Sequence, residues 1–141
     1  MNDAIRRLRF CYWLGAIVDL AAGVQMLCPP LFAFGMGLGA FHPGADYRYA
    51  MGMGASLMFG WTALLLWADR KPIERMGVLP LTVAPVIAGL ALNQAAGVSS
   101  GFISLVAAAP IWALQMALTG LFLHAYFRAR DALRRGGGAL K

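Results

Sequence analysis

The amino-acid sequence predicts an all-α integral membrane protein, a four-helix bundle with its N-terminus and C-terminus both cytoplasmic. Three observations predict this fold. The 141 residues are 60% hydrophobic and only 13% charged, whereas an ordinary soluble domain is about a quarter charged. Four apolar runs, about residues 10–28, 50–68, 76–95 and 102–127, are each long enough for a hydrocarbon core of about 30 Å. Lys and Arg cluster where those runs end, as they do beside membrane spans. The length favours a single four-span domain, residues 1–141.

The first span follows Arg6, Arg7 and Arg9, a beginning shared with signal peptides. The run to Cys28 is longer than a signal core, contains Asp19 and meets no A-x-A site, so it is expected to be a retained span. Pro29-Pro30 ends it, since proline lacks the donor that would continue the helix. The second span stops at Asp69-Arg70-Lys71-Pro72. The third carries Pro80 and Pro85, and the fourth Pro110. A bilayer tolerates such prolines when neighbouring groups satisfy the freed carbonyls. The remaining segments are an outer interfacial stretch, residues 29–46, and a basic cytoplasmic tail, residues 128–141.

Orientation follows from charge. Of the twelve Lys and Arg, all but Arg48 fall before the first span, between the second and third, or after the fourth. By the positive-inside rule that side is the cytoplasm. The net charge of +6 therefore sets topology and meets anionic headgroups; without a basic stripe interleaved with aromatics it does not indicate nucleic acid. Tyr12, Trp13, Trp67 and Tyr126 form the expected inner aromatic belt, and Tyr47, Tyr49 and Phe102 the outer one.

The outer segment LFAFGMGLGAF is apolar, glycine-rich and too short to span. It is expected to lie in the headgroup layer; a mobile lid over a cavity is the alternative. Cys11 and Cys28 sit at opposite ends of one helix, roughly 25 Å apart at 1.5 Å per residue, too far for a disulfide. They read as buried apolar thiols, and the eight methionines as adaptable packing. Gly136-Gly137-Gly138 reads as a flexible tail.

Asp19 is the most informative residue, the only carboxylate inside a span. A charge near the bilayer centre costs about 2.5–3.5 kcal/mol on insertion scales. Asp19 is thus neutral, paired or facing a wet cavity: a proton or cation site, or a protonated carboxyl joining helices. Gly15, Ala16, Ala22 and Gly23 surround it along the helix, and Gly52, Ser56 and Gly60 offer a matching small-residue strip that lets backbones approach. Ser56 is expected to hydrogen-bond Asp19, and Gln115 lies at similar depth as another partner. Trp61 and Trp112, also deep, could complete a cage for an organic cation, although deep tryptophans more often serve packing. Asn93, Gln94 and Gln25 near the outer ends suggest interhelical hydrogen bonds or a polar cavity mouth.

His42 and His124 fall on opposite sides of the membrane, which argues against a shared metal or haem. No nucleophile–base pair or phosphate loop is present, so neither catalytic residues nor cofactors are assigned. The expected partners are the lipid bilayer and either another membrane subunit or a second copy.

GAIVDLAAGVQMLCPPLFAFGMGL followed by YRYAMGMGASLMFGWTALLLW resembles the DoxX-like group of small four-helix bacterial membrane proteins across roughly the first half of the chain. The resemblance implies residence in the bacterial cytoplasmic (inner) membrane. It also implies, for some members, partnership with quinone-linked oxidoreductases; it assigns no catalytic residue. In size and in its first-span carboxylate the chain also resembles the small multidrug-resistance exporters. Those are shorter, use Glu where this chain has Asp19, and in some cases insert both ways, which the strong charge bias here opposes. The leading expectation is a non-enzymatic accessory or lipid-like-ligand-binding membrane subunit. The alternative is a small proton-coupled transporter of a cationic or amphipathic solute using Asp19.

Overall fold

The computed structural model describes residues 2–39 and 41–137. These residues form helices joined by turns, with no strand among them. Helix α1 (Asn2–Leu27) starts before the apolar run and carries the N-terminal arginines on its first turns. Cys28 is extended, and α2 (Pro29–Met36) begins immediately with both prolines in its first turn, where the missing N–H has no helical partner to lose. The prolines therefore end one helix and open the next. Gly37 closes α2 in the left-handed region at φ 64, and the Leu38 N–H donates to the Ala33 carbonyl at 2.9 Å. A side chain there would be strained.

Helix α3 (Ala45–Asp69) carries the second span. The third span, Val78–Ser99, comprises α4 (Val78–Leu81), a π-helical turn (Thr82–Ile87) and α5 (Ala88–Ser99). Pro80 falls in the first turn of this span, where its lost donor is harmless. Pro85 lies inside the π turn, and π turns within α-helices are an established way to absorb irregular hydrogen bonding. Helix α6 (Leu105–Gly137) carries the fourth span. It runs on through Arg128–Arg135, so the basic segment continues the helix and does not leave it as a separate tail. The expected flexible glycine tail overlaps α6 at Gly136 and Gly137, and Gly138 lies outside the described residues.

Four helices are long and apolar enough to cross a membrane. Their outward surface agrees: Leu57, Leu92, Val106 and Met116 are 72–85% exposed. In water that surface would oppose folding, whereas hydrocarbon solvates it.

The core lies chiefly between α1, α3 and α6. The buried face of α1 runs Leu8, Cys11, Tyr12, Gly15, Ala16, Asp19 and Gly23, the three- and four-residue spacing of a single helical stripe. The facing stripe of α3 is Met51, Ala55, Thr62, Leu65 and Ala68. This corrects the small-residue seam expected on α3. A side chain built at Gly52 or Gly60 would meet nothing within 4 Å. Close approaches on α1 are at Gly15, whose added Cβ would lie 3.1 Å from Leu65 and Phe122, and at Gly23, 2.5 Å from the Phe59 ring. On the second span Gly54, whose added Cβ would lie 2.5 Å from Met26, is the glycine that meets α1, and Gly52 and Gly60 are turned away from it.

The basic end is fastened by directed bonds. Arg9 donates to both carboxylate oxygens of Asp69 at 3.0 and 3.2 Å, and the Trp13 indole donates to Asp69 Oδ2 at 3.2 Å. The Tyr12 hydroxyl donates to the Arg75 carbonyl at 3.0 Å. Tyr12 is therefore a fully buried strut and not a member of the inner aromatic belt; Trp13 and Trp67 are exposed there. Arg75 stacks 3.4 Å from the Trp67 ring centroid. At the other end, Phe41 gathers Phe32, Tyr47 and Phe102 at centroid distances of 5.5–6.3 Å. That cluster ties the outer segment to α3 and to the turn between α5 and α6.

Candidate functional site

Each span contributes one residue to a buried polar set: Asp19, Thr62, Thr82 and Gln115. The register of the bundle places them near one another in depth. Cys11 Sγ approaches the Leu121 carbonyl, and Gly15 faces both Leu65 and Phe122. A turn further along α1, Asp19 comes to within about one turn of Gln115 on antiparallel α6 and of Thr62 on antiparallel α3.

The two threonines are satisfied locally. Thr62 Oγ1 donates to the Met58 carbonyl at 2.9 Å, and Thr82 Oγ1 to the Val78 carbonyl at 2.9 Å, the back-bonding open to hydroxyls inside helices. Thr82 also accepts the Trp61 indole N–H at 3.1 Å, linking α3 to the start of the π turn. Asp19 Oδ2 and Gln115 Oε1 are buried without a partner. Both oxygens lie at about the same depth, and no hydrogen bond joins them.

Ser56 is not the partner expected for Asp19. It is exposed and its hydroxyl donates to the Gly52 carbonyl at 3.0 Å, because it lies on the outward side of α3 with Gly52 and Gly60. Trp61 is held by Thr82, and Trp112 is half-buried. Among the described residues neither tryptophan ring stacks on another aromatic. Gln25 Nε2 donates to the Leu31 carbonyl at 3.3 Å and holds α2 against α1, while Gln94 Oε1 is buried without a partner. Among the described residues no three His, Cys, Asp or Glu side chains converge as metal ligands would.

A second feature lies at the basic end, between α1 and α6. Here a groove of about 330 Å³ has walls formed by Phe10, Cys11, Leu121 and Ala125, and a rim formed by Arg6, Arg7 and His124. Arg7 Nη1 lies 3.3 Å from His124 Nε2. As arginine only donates, His124 accepts through Nε2 in this geometry. Asp19 is not among the lining residues. The groove was not legible as a site in the sequence, because its two rim partners are 117 positions apart. The available signal was that both sit at the basic ends of antiparallel spans.

Comparison of the chain with protein-family models, with curated proteins and with solved structures returns no match.

Proposed function

We propose that this chain is a non-enzymatic subunit of the bacterial inner membrane that holds a lipid-like ligand, with both termini in the cytoplasm. The observation that carries this reading is the groove between α1 and α6, with apolar walls below a cationic rim at the end of the bundle where cations concentrate. Its size is at the lower end of ordinary ligand pockets, about 300–1,000 Å³, and suits part of an amphipathic molecule. The resemblance to DoxX-like proteins supports an accessory role beside a partner membrane subunit.

The test is lipid retention. Protein purified in neutral detergent is expected to keep one lipid-sized adduct in native mass spectrometry, and Leu121→Trp, which crowds the groove wall, is expected to lose it. Wild-type protein that sheds all lipid while remaining folded would end this reading.

One observation favours a second reading. The unpartnered acceptors of Asp19 and Gln115 suit a proton-coupled transporter of a cationic or amphipathic solute, with Asp19 carrying the proton.

A further inference from the structure

We infer that the groove between α1 and α6 is a site for an anionic phospholipid, with Arg7 and His124 reading its phosphate. This rests on the lipid-binding reading above and names the chemical class of its ligand.

The groove is layered as a phospholipid is layered. On α1, Arg6 and Arg7 stand one turn outside Phe10 and Cys11. On antiparallel α6, His124 stands one turn outside Leu121. One turn is about 5.4 Å, so a polar tier, cationic on α1 and imidazole on α6, overlies an apolar tier at the same offset on both walls. A phosphate in the upper tier would place the start of its acyl chains against Phe10 and Leu121. Phe10 is 59% exposed, giving an acyl chain an open apolar surface to lie on.

The charges also differ in their availability. Arg6 pairs with Asp3, Arg9 with Asp69 and Lys71 with Glu74. Arg7 has no carboxylate within salt-bridge distance among the described residues; its recorded side-chain partner is the ring of His124. An arginine held at a two-helix seam by a neutral acceptor keeps donors free for a phosphate, which its planar fork suits. Arg128, one turn beyond His124 on the same face of α6, is exposed and extends the cationic rim. Basic pockets between spans at the cytoplasmic side are where anionic headgroups bind. A neutral zwitterionic headgroup would bring its own cation into this rim and bind less well.

The experiment uses the full chain in neutral detergent, titrated with phosphatidylglycerol or with phosphatidylcholine of the same acyl chains, and read by native mass spectrometry and thermal stability. Phosphatidylglycerol is expected to bind at least roughly fivefold more tightly. Arg7→Gln and His124→Gln should each weaken it, Arg7→Gln by roughly five- to tenfold, as one cation near an anionic headgroup warrants. Arg70→Gln, an exposed cation at the same end but outside the groove, should leave binding unchanged. Equal retention of both lipids would overturn the anionic assignment while leaving lipid binding intact, and retention of neither would remove both readings. Equal losses in Arg7→Gln and Arg70→Gln would reduce the effect to general surface charge and overturn the site. Stabilisation by millimolar inorganic phosphate equal to that by phosphatidylglycerol would assign a soluble anion in place of a lipid.

Discussion

Asp19 is the residue on which the two functional readings divide. Its Oδ2 is buried without a partner, in a region where an ionised carboxylate is costly. Asp19→Asn keeps the shape and supplies an amide donor, so the variant is expected to insert and to match the wild type in detergent thermal stability. Asp19→Leu removes a buried carboxyl whose Oδ2 has no hydrogen-bond partner, so it is expected to stay within about 1 kcal/mol of the wild type in detergent. Reconstituted wild-type protein is expected to show no pH-driven flux. A flux that disappears in Asp19→Asn would replace the lipid-binding reading with the transporter.

At the scale of single helices, the rotation of α3 decides which glycines matter. Gly23 on α1 faces Phe59, with an added Cβ 2.5 Å from the ring, so Gly23→Leu is expected to cost about 1–3 kcal/mol, as overpacking does. Gly52→Leu and Gly60→Leu point into open space and are expected to change detergent melting little. Comparable losses at Gly23 and Gly60 would show that α3 is turned the other way. The π turn makes a separate demand. Thr82 accepts the Trp61 indole N–H at 3.1 Å, so Thr82→Val strands a half-buried donor and is expected to cost about 1 kcal/mol. Thr82→Ser keeps the oxygen and should stay close to wild type. If valine and serine behave alike, the hydroxyl does not hold α3 to the π turn.

For the whole molecule, the contacts Arg9–Asp69, Tyr12–Arg75 and Arg7–His124 bring the start of α1, the loop after α3 and the latter part of α6 to one end. Ten of the twelve Lys and Arg lie in those described segments, Lys141 lies outside the described residues, and Arg48 is at the other end. Reporter fusions at about residues 45 and 99 are expected to read outside, and fusions at about residue 72 and the C-terminus inside, by the positive-inside rule. Opposite locations for the 69–75 loop and the C-terminus would break the four-span arrangement.

The sequence by itself determined the number of helices long and apolar enough to span, their approximate limits and the gathering of cations at alternate ends. Hydropathy and charge are sums over consecutive residues, and they survive any rotation of a helix about its axis. Tertiary structure decided what depends on that rotation. It turned Ser56, Gly52 and Gly60 outward and put Thr62 and Leu65 inward. It made Tyr12 a buried strut where the sequence suggested an interfacial aromatic, and it brought Arg7 to His124 across 117 positions. A helix turns 100° per residue, so an error of one position moves a side chain off its face. Small-residue spacing on α3 is equally compatible with neighbouring faces, and the fit of Phe59 over Gly23 and of Leu65 and Phe122 over Gly15 selected the one that is buried.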